Sequence, residues 1–402
     1  MFTKNKIDTD PEKINKILTR NIEDIFVLES FKKKLESGKQ LRIKLGFDPT
    51  GSNIHIGRAT VLRKLREFQD LGHKIVFIVG DFTARVGDPS DKLEKRPMLD
   101  SKKIKENLRD YKRQVGKIID LSKTEFVYNS KWLSKLDFNE IAELAESFTV
   151  SQMISRRNFK DRLDKGQEVS LREFLYPLMQ GYDSVMVNAD IEIGGFDQLF
   201  NLKAGRTIQK YYKKPEQDVL TTVMLEGTDG RKMSTSWGNV INIVDEPNEM
   251  FGKVMSLNDE LIGKYFKVCT DVDEGEIKDI ESKINSGELN PRDAKVRLAK
   301  ELIKIYHSEE DANKAEENFE KTFKEGGAPE DVLEVKVNSG YRLDETLIEN
   351  KIISSKNEWR RLIEQKGITV VESGEKVTDL NYLIKETQTF RVGKKRFIKS
   401  VV

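Results

Sequence analysis

Cysteine occurs once in the 402 residues, at Cys269, and histidine three times, at His55, His73 and His307. A single thiol excludes a disulfide framework and a thiolate zinc cluster, and it fits a reducing compartment. With so few histidines, no resident metal centre is expected. Long apolar runs are missing too: no stretch approaches the roughly 18 residues that would span a bilayer. The first residues, Met1-Phe2-Thr3-Lys4-Asn5-Lys6, lead into charge rather than into an apolar signal core, so a soluble cytoplasmic protein is expected. Nor does one sign of charge dominate. The 70 Lys and Arg nearly balance 68 Asp and Glu, which excludes a histone-like polycation and an acidic disordered chain but leaves room for a local basic patch.

What is present is a densely ionic chain, 34% charged and 37% apolar. At roughly 150 residues per domain its length suggests two or three domains. Leu41 to Phe47 alternates as a strand would, Asp48-Pro49-Thr50-Gly51-Ser52-Asn53 breaks it, and His55 to Leu71 reads as a helix. Lys74 to Gly80 is a short apolar run suited to a buried parallel strand. A helix from 22 to 38 and a long polar helix from 102 to 121 are expected, followed by a strand at 125–128. Ser170-Leu171-Arg172-Glu173 opens a further helix with a capping box, and Ile191 and Ile193 lead into the turn Gly194-Gly195. Strands alternating with helices predict an α/β domain with a doubly wound sheet. From about 249 to 322 the pattern is helical and charged, predicting an all-α domain.

The last segment differs. Residues 343–402 hold 12 basic against 9 acidic residues, a net +3. A second capping box, Ser355-Lys356-Asn357-Glu358, precedes Trp359-Arg360-Arg361, and Phe390 to Phe397 is basic and strand-like. A small independent module is expected there.

Two stretches carry candidate chemistry. In Gly46-Phe47-Asp48-Pro49-Thr50 through His55-Ile56-Gly57-Arg58 a strand ends, the chain turns and a helix begins. Ligands bind beyond the carboxyl ends of strands in open α/β sheets, and helix N-termini attract phosphate. Gly57 would let an adenine approach the backbone, and Thr50 and His55 offer donors to phosphate. The same residues also fit a plain strand–turn–helix with a capping histidine. The second stretch is Gly230-Arg231-Lys232-Met233-Ser234-Thr235-Ser236. A lysine flanked by hydroxyls can follow charge onto departing pyrophosphate, and such donors are typically worth about 3–4 kcal/mol at a transition state. Alone, it would equally be a solvated turn.

Together these stretches resemble the HIGH and KMSKS signatures of class I aminoacyl-tRNA synthetases. Three further motifs, Gly87-Asp88-Pro89-Ser90, Tyr176-Pro177-Leu178-Met179-Gln180-Gly181-Tyr182-Asp183 and Gly194-Gly195-Phe196-Asp197-Gln198, are similar to those of the tyrosyl-tRNA synthetase family, bacterial branch. The resemblance implies a class I Rossmann-type parallel sheet (1–225), a signature loop (226–245), an α-helical domain meeting the anticodon stem (246–325), a linker (326–342) and an S4-like α+β RNA-binding domain (343–402). It implies a homodimer with ATP, Mg2+, L-tyrosine and tRNA(Tyr) as partners, and neither membrane nor DNA.

The implied roles fall on matching residues. Asp183 would accept a hydrogen bond from the substrate phenol. Thr83, Asp88, Tyr176 and Gln180 would surround its ammonium, with Gln198 near the carboxyl end. Gly195 and Asp197 would meet the ribose, with Gly46, Asp48, Gly57, Arg58, Met233 and Ser234 around the nucleotide. Thr50, His55, Lys92, Arg96, Lys232 and Thr235 would act on the triphosphate. Lys356, Arg360, Arg361, Lys394, Lys395 and Arg396 would face RNA phosphates. A buried carboxylate that reads a hydroxyl rejects phenylalanine strongly, because the acid would be left desolvated and unpaired; no inserted editing domain is needed.

Six positions depart from the family's pattern. Arg58 replaces the second histidine of the first signature, and Thr235 the second lysine of the loop, where a monovalent cation is the expected substitute. Lys44 stands where many relatives place a tyrosine beside the phenol, and it is expected among the residues that contact the substrate tyrosine. Phe196 replaces a small hydroxyl residue, and Asp91 and Leu93 flank Lys92 in place of a glycine and a serine.

Overall fold

The short apolar runs become the strands of one sheet in the computed structural model, which describes residues 7–90, 101–324, 332–393 and 396–402. The strands are β1 (Asp24–Phe26), β2 (Arg42–Phe47), β3 (Lys74–Val79), β4 (Thr124–Tyr128), β5 (Ile191–Gly195) and β6 (Asp218–Thr222), in the order β1-β6-β5-β2-β3-β4. β2 to β6 run parallel, and β1 lies antiparallel at the edge. In β3, Ile75, Val76, Phe77 and Ile78 are completely buried, as a strand covered on both faces requires. The strand order reverses between β2 and β5, and such a switch point opens a crevice at the carboxyl ends of the strands.

The chain forms two compact units, Met1–Asp245 with Ser256–Leu298, and Glu246–Met255 with Ala299–Val402. The helical stretch expected as one domain at 246–325 is therefore shared between them. In the first unit, Cys269 ends the helix Ile262–Cys269 and is fully buried, which pushes its thiol up to about 12.

Two expected helices are broken. Instead of one helix over 22–38, Asp24–Phe26 pairs with Thr221, Leu220 and Val219 of β6, and Val27 turns at φ 65° into the helix Leu28–Glu36. Edge pairing with the sheet outweighs helical spacing that local sequence alone cannot rank. The stretch 102–121 becomes two short helices, Ser101–Leu108 and Tyr111–Val115. The break lets Asn107 and Gln114 reach the backbone of the 49–54 turn, as described below.

In the second unit, residues 333–402 build a small α+β module. Its strands are β7 (Leu333–Lys336), β8 (Tyr341–Arg342), β9 (Ile368–Val370), β10 (Leu383–Ile384), β11 (Gln388–Val392) and β12 (Arg396–Val401), forming the sheet β7-β12-β11-β9 and the pair β10-β8. Leu343, Leu347, Trp359, Ile368, Phe390 and Ile398 share one buried core. β7 and β8 lie within the stretch expected as a linker, and β7 pairs in parallel with β12. Among the described residues no helix is long and apolar enough to cross a membrane.

Candidate active site

The loops leaving β2, β3, β4 and β5 converge on one crevice. Its floor is held by the helix Leu171–Val187, started by the reciprocal capping box of Ser170 and Glu173. Asp183 faces inward, 3% exposed. Its carboxylate accepts Trp132 Nε1–H at 2.7 Å and Asn129 Nδ2–H at 3.2 Å. Burial pushes its pKa up to about 7; Lys44 and the two donors pull it down and Glu192 adds to the rise.

A second group of acids lies along the same crevice. Asp48, just past β2, accepts Thr83 Oγ1–H at 2.6 Å and Tyr176 Oη–H at 2.8 Å. Desolvation raises it to about 7 against the pull of Thr83, and the nearby charges of Asp88 and Asp183 add to the rise. Asp88 accepts Gln198 Nε2–H at 2.6 Å and a weaker bond from Asn201 at 3.3 Å. Tyr176 is raised by burial first, then by Asp48 and Asp88. Thr83, Asp88, Tyr176, Asp183 and Gln198 are thus brought together, joined by Asp48, which the sequence had assigned to the nucleotide. Gly80 makes the approach possible: a Cβ there would lie 1.9 Å from Asp48 Oδ1 and 2.4 Å from Thr83 Oγ1. Arg156, stacked on Phe159 and Phe200, steadies Ser90 at 3.2 Å and Asn201 at 3.1 Å beside Asp88.

Lys44 does not face a ligand. It is completely buried, and its ammonium donates to Gln180 O at 2.8 Å, to Ser184 Oγ at 2.8 Å and pairs with Glu192 Oε1 at 2.9 Å. All three protons are taken, so the direct substrate contact expected of Lys44 is corrected to a structural one. Gln180 likewise spends its amide on Glu192 Oε1, at 3.0 Å.

On the nucleotide side, the 54–56 segment runs beside 241–243: Ile56 N–H donates to Ile241 O at 2.8 Å and Ile243 N–H to Ile54 O at 3.0 Å. This pairing joins the two signature stretches. A Cβ on Gly57 would stand 3.0 Å from Met233 Sδ and 3.2 Å from His55 Nδ1, so a side chain there would press on both. His55 occupies the N-cap of Ile56–Asp70 but makes no capping bond, and its buried Nδ1 has no partner. It is not the plain capping histidine that the sequence left open. Burial and then Arg58 drive its pKa down to about 3, so the imidazole is neutral. Arg58 lies over the Phe47 ring at 4.8 Å and donates to Thr50 Oγ1 at 3.1 Å. The turn is braced by Asn107, donating to Pro49 O at 2.8 Å, and by Gln114, which binds Ile54 N–H at 2.8 Å and Ser52 O at 2.7 Å.

The loop with Lys232, Met233, Ser234 and Thr235 is pinned by buried Asn239. Its side chain accepts Ser234 N–H at 2.8 Å and donates to Lys232 O at 3.1 Å and to Asp229 Oδ1 at 2.8 Å. The Lys232 and Thr235 side chains are exposed. Gly46 has open space where a Cβ would stand, and a Cβ on Gly195 would meet Asp197 Oδ1 at 2.7 Å. Lys92 and Arg96, with the altered Asp91 and Leu93, lie outside the described residues, as do Lys394 and Lys395. In the second unit Lys356, Arg360 and Arg361 project from the helix Lys356–Glu364 into solvent while Trp359, Leu362 and Ile363 are buried. Arg396 is instead engaged within the module, with Glu358 at 2.9 Å and with Ile352 O.

Residues 35–324 match the family model of class I tRNA synthetases (W and Y). The chain is 43% identical to the tyrosine–tRNA ligase of Thermotoga maritima over 97% of both chains. The chain belongs to the tyrosine–tRNA ligase family. It is also 45% identical to the Carboxydothermus hydrogenoformans ligase, over 96% of this chain and 97% of that one. The fold resembles the Archaeoglobus fulgidus tyrosyl-tRNA synthetase complexed with L-tyrosine, with a TM-score of 0.61 at 24% identity, covering 77% of this chain and all of that one. A C-terminally truncated mitochondrial tyrosyl-tRNA synthetase from Aspergillus nidulans gives 0.63 at 22% identity, over 77% of this chain and 94% of the other.

Sequence reading missed several members of this ligase's site. Trp132 carried a usable signal, being one of three tryptophans and lying just past a predicted strand. Asn129, Glu192, Asn201 and Asn239 carried none, because their partners lie on other elements.

Proposed function

We propose that this ligase activates L-tyrosine with ATP, taken as its Mg2+ complex, and then passes the tyrosyl group to the 3′ end of tRNA(Tyr). The observation that carries the reading is the placement of acids along one crevice: Asp183 on the floor, and Asp48 and Asp88 further along it. An aromatic amino acid with a phenol at one end and an ammonium at the other matches that order. The phenol donates to Asp183 while Trp132 and Asn129 hold the acceptor still. The ammonium enters between Asp48 and Asp88, and its charge favours the ionised form of Asp48.

In the first step a carboxylate oxygen of tyrosine attacks the α-phosphorus as the bond to pyrophosphate breaks. The nucleophile is already an anion, so no general base is required, and alignment and charge stabilisation supply the catalysis. Neutral His55, with Thr50, would hydrogen-bond the γ-phosphate, and Lys232 would follow the charge onto pyrophosphate. Gly195 and Asp197 would meet the ribose. In the second step a hydroxyl of the terminal ribose displaces AMP from the carbonyl carbon. Lys356, Arg360 and Arg361 would bind tRNA phosphates. Exposed Phe138, Val150 and Leu171, 85%, 67% and 79% accessible, suit burial against a second copy in a homodimer, and the cytoplasm suits the reaction.

Amino-acid-dependent ATP–pyrophosphate exchange tests this reading. Exchange with tyrosine alone among the twenty amino acids is expected. Tight tRNA binding without exchange would instead mark an RNA-binding protein on a synthetase scaffold.

A further inference from the structure

Lys44 and Glu192 are registered partners on adjacent parallel strands, β2 and β5, at the switch point of the sheet. Both side chains are completely buried. A buried ion pair is weak evidence for stability, since desolvation can cancel the attraction, and two well-packed apolar residues would serve as well. Its partners point to another purpose. The ammonium holds Gln180 O and Ser184 Oγ on the helix that carries Asp183, and the Glu192 carboxylate accepts Ser184 Oγ–H at 3.1 Å and the Gln180 amide at 3.0 Å. Gln217 closes the far side of Glu192. Thus the residue next to Asp183 and the carbonyl three residues before it are both bound to the pair.

We propose that the Lys44–Glu192 pair is a positioning couple for tyrosine selection: it fixes Asp183 in place and sets the charge with which Asp183 meets the substrate phenol. The inference rests on Asp183 being the phenol acceptor. The two members act on that acid in opposite senses: Lys44 favours its anion and Glu192 disfavours it, against a burial that alone favours the neutral form. The other titratable groups around the crevice are Asp48 at the end of β2, Tyr176 on the same helix, Asp88 beyond β3, and Asp81, capped by Ser130 N and Oγ at 3.0 and 2.6 Å. A second hydroxyl beside the phenol is not needed in this arrangement, because the cation is placed behind the acid.

The test uses the full-length enzyme and reads the ratio of kcat/KM for tyrosine to that for phenylalanine in pyrophosphate exchange, from pH 5.5 to 8.5. The ammonium and carboxyl contacts are common to both substrates, so titration of Asp48 cancels in the ratio. Lys44→Met is expected to move the midpoint of the ratio to higher pH and lower the ratio at pH 7 by about fivefold, the fall in ionised fraction when a pKa of about 7 rises by one unit. Glu192→Gln is expected to move the midpoint to lower pH. The double variant Lys44→Met/Glu192→Gln, which leaves no unpaired buried charge, keeps the question answerable if either single variant fails to fold; its midpoint is expected between those of the singles and its ratio at every pH below wild type. Midpoints that stay within a few tenths of a unit in all folded variants overturn the proposal. Asp183→Asn separates the two layers. If it leaves the tyrosine-to-phenylalanine ratio unchanged, the underlying assignment of Asp183 fails. If it collapses the ratio while the Lys44 and Glu192 variants leave the midpoint in place, only the positioning couple fails.

Discussion

Trp132 donates its indole Nε1–H to Asp183 Oδ1 across 2.7 Å, while Asn129 holds the other carboxylate oxygen and also donates to Thr83 Oγ1 at 3.1 Å. One amide therefore joins the acid on the floor of the crevice to the hydroxyl that braces Asp48. Removing the indole donor by Trp132→Phe should cost a charge-assisted hydrogen bond of about 1.5–3 kcal/mol. The expected outcome is a KM for tyrosine raised at least about tenfold with kcat for exchange little altered. Steady-state exchange at pH 7.5 checks it.

Asp48 gives the free enzyme a pH dependence whose sign follows from a pKa raised to about 7 from the ordinary 3.8. Between those two values the folded state holds more protons than the unfolded one, so stability falls as pH rises through this window and levels off above it. Asp48→Asn removes this dependence, and the Thr83 and Tyr176 hydroxyls can turn to suit an amide. Thermal melts should show Asp48→Asn gaining Tm over wild type at pH 8 and little at pH 5, with tyrosine KM sharply raised. An equal gain at both pH values would contradict the assignment.

Gly80→Ala places a methyl group within 1.9 Å of Asp48 Oδ1, closer than any packing permits. Overpacking of this kind costs about 1–3 kcal/mol. Asp48 and Thr83 must separate, so tyrosine affinity should fall at least about tenfold, the equivalent of 1.4 kcal/mol. Equilibrium dialysis with labelled tyrosine measures this without ATP.

Asn239 is the pin of the signature loop, and Asn239→Ala removes its bonds to Ser234, Lys232 and Asp229 together. A loosened loop aligns Lys232 less often. The single-turnover rate of tyrosyl-adenylate formation should drop at least about tenfold, less than the roughly 10²–10³-fold of losing a transition-state donor outright, while the dissociation constant for tyrosine stays as it was. Stopped-flow fluorescence reads both quantities.

Removal of residues 333–402 should spare adenylate formation and abolish efficient charging of tRNA. The cut belongs before β7, because β7 pairs with β12 and would otherwise be left with an open edge. In the full chain, Arg360→Ala with Arg361→Ala should weaken tRNA binding and flatten its dependence on salt, by about 0.7–0.9 in log–log slope for each phosphate no longer neutralised. Filter binding across salt concentrations checks this.

The strands β2 and β3 were legible because an apolar run between turn residues has few other fates, and the helix carrying Asp183 was legible because Ser170 and Glu173 mark its start. The helix expected over 22–38 was not separable from β1 by local pattern, since the deciding partner, β6, lies almost two hundred residues on. Separation along the chain hid Lys44 as well. Its place in a strand was readable, but a lysine among apolar neighbours says nothing of the glutamate registered beside it. The site motifs named Asp88, Tyr176, Asp183 and Gln198, which lie along the crevice. They did not reveal that Asp48 would join Thr83 and Tyr176, that Arg58 would lie over Phe47, or that Arg396 would be occupied by Glu358. Each of those outcomes is decided by side chains that sequence order keeps apart.

The isolation of Cys269 has a practical consequence. Its thiol is enclosed and held up near 12, so at neutral pH it offers almost no thiolate to an alkylating or oxidising reagent. The natural protein already behaves as a cysteine-free background, and a thiol installed on the Lys356–Glu364 helix or in the loop near Thr235 would take up a maleimide dye at that one position, giving a fluorescent reporter of tRNA docking or of loop closure.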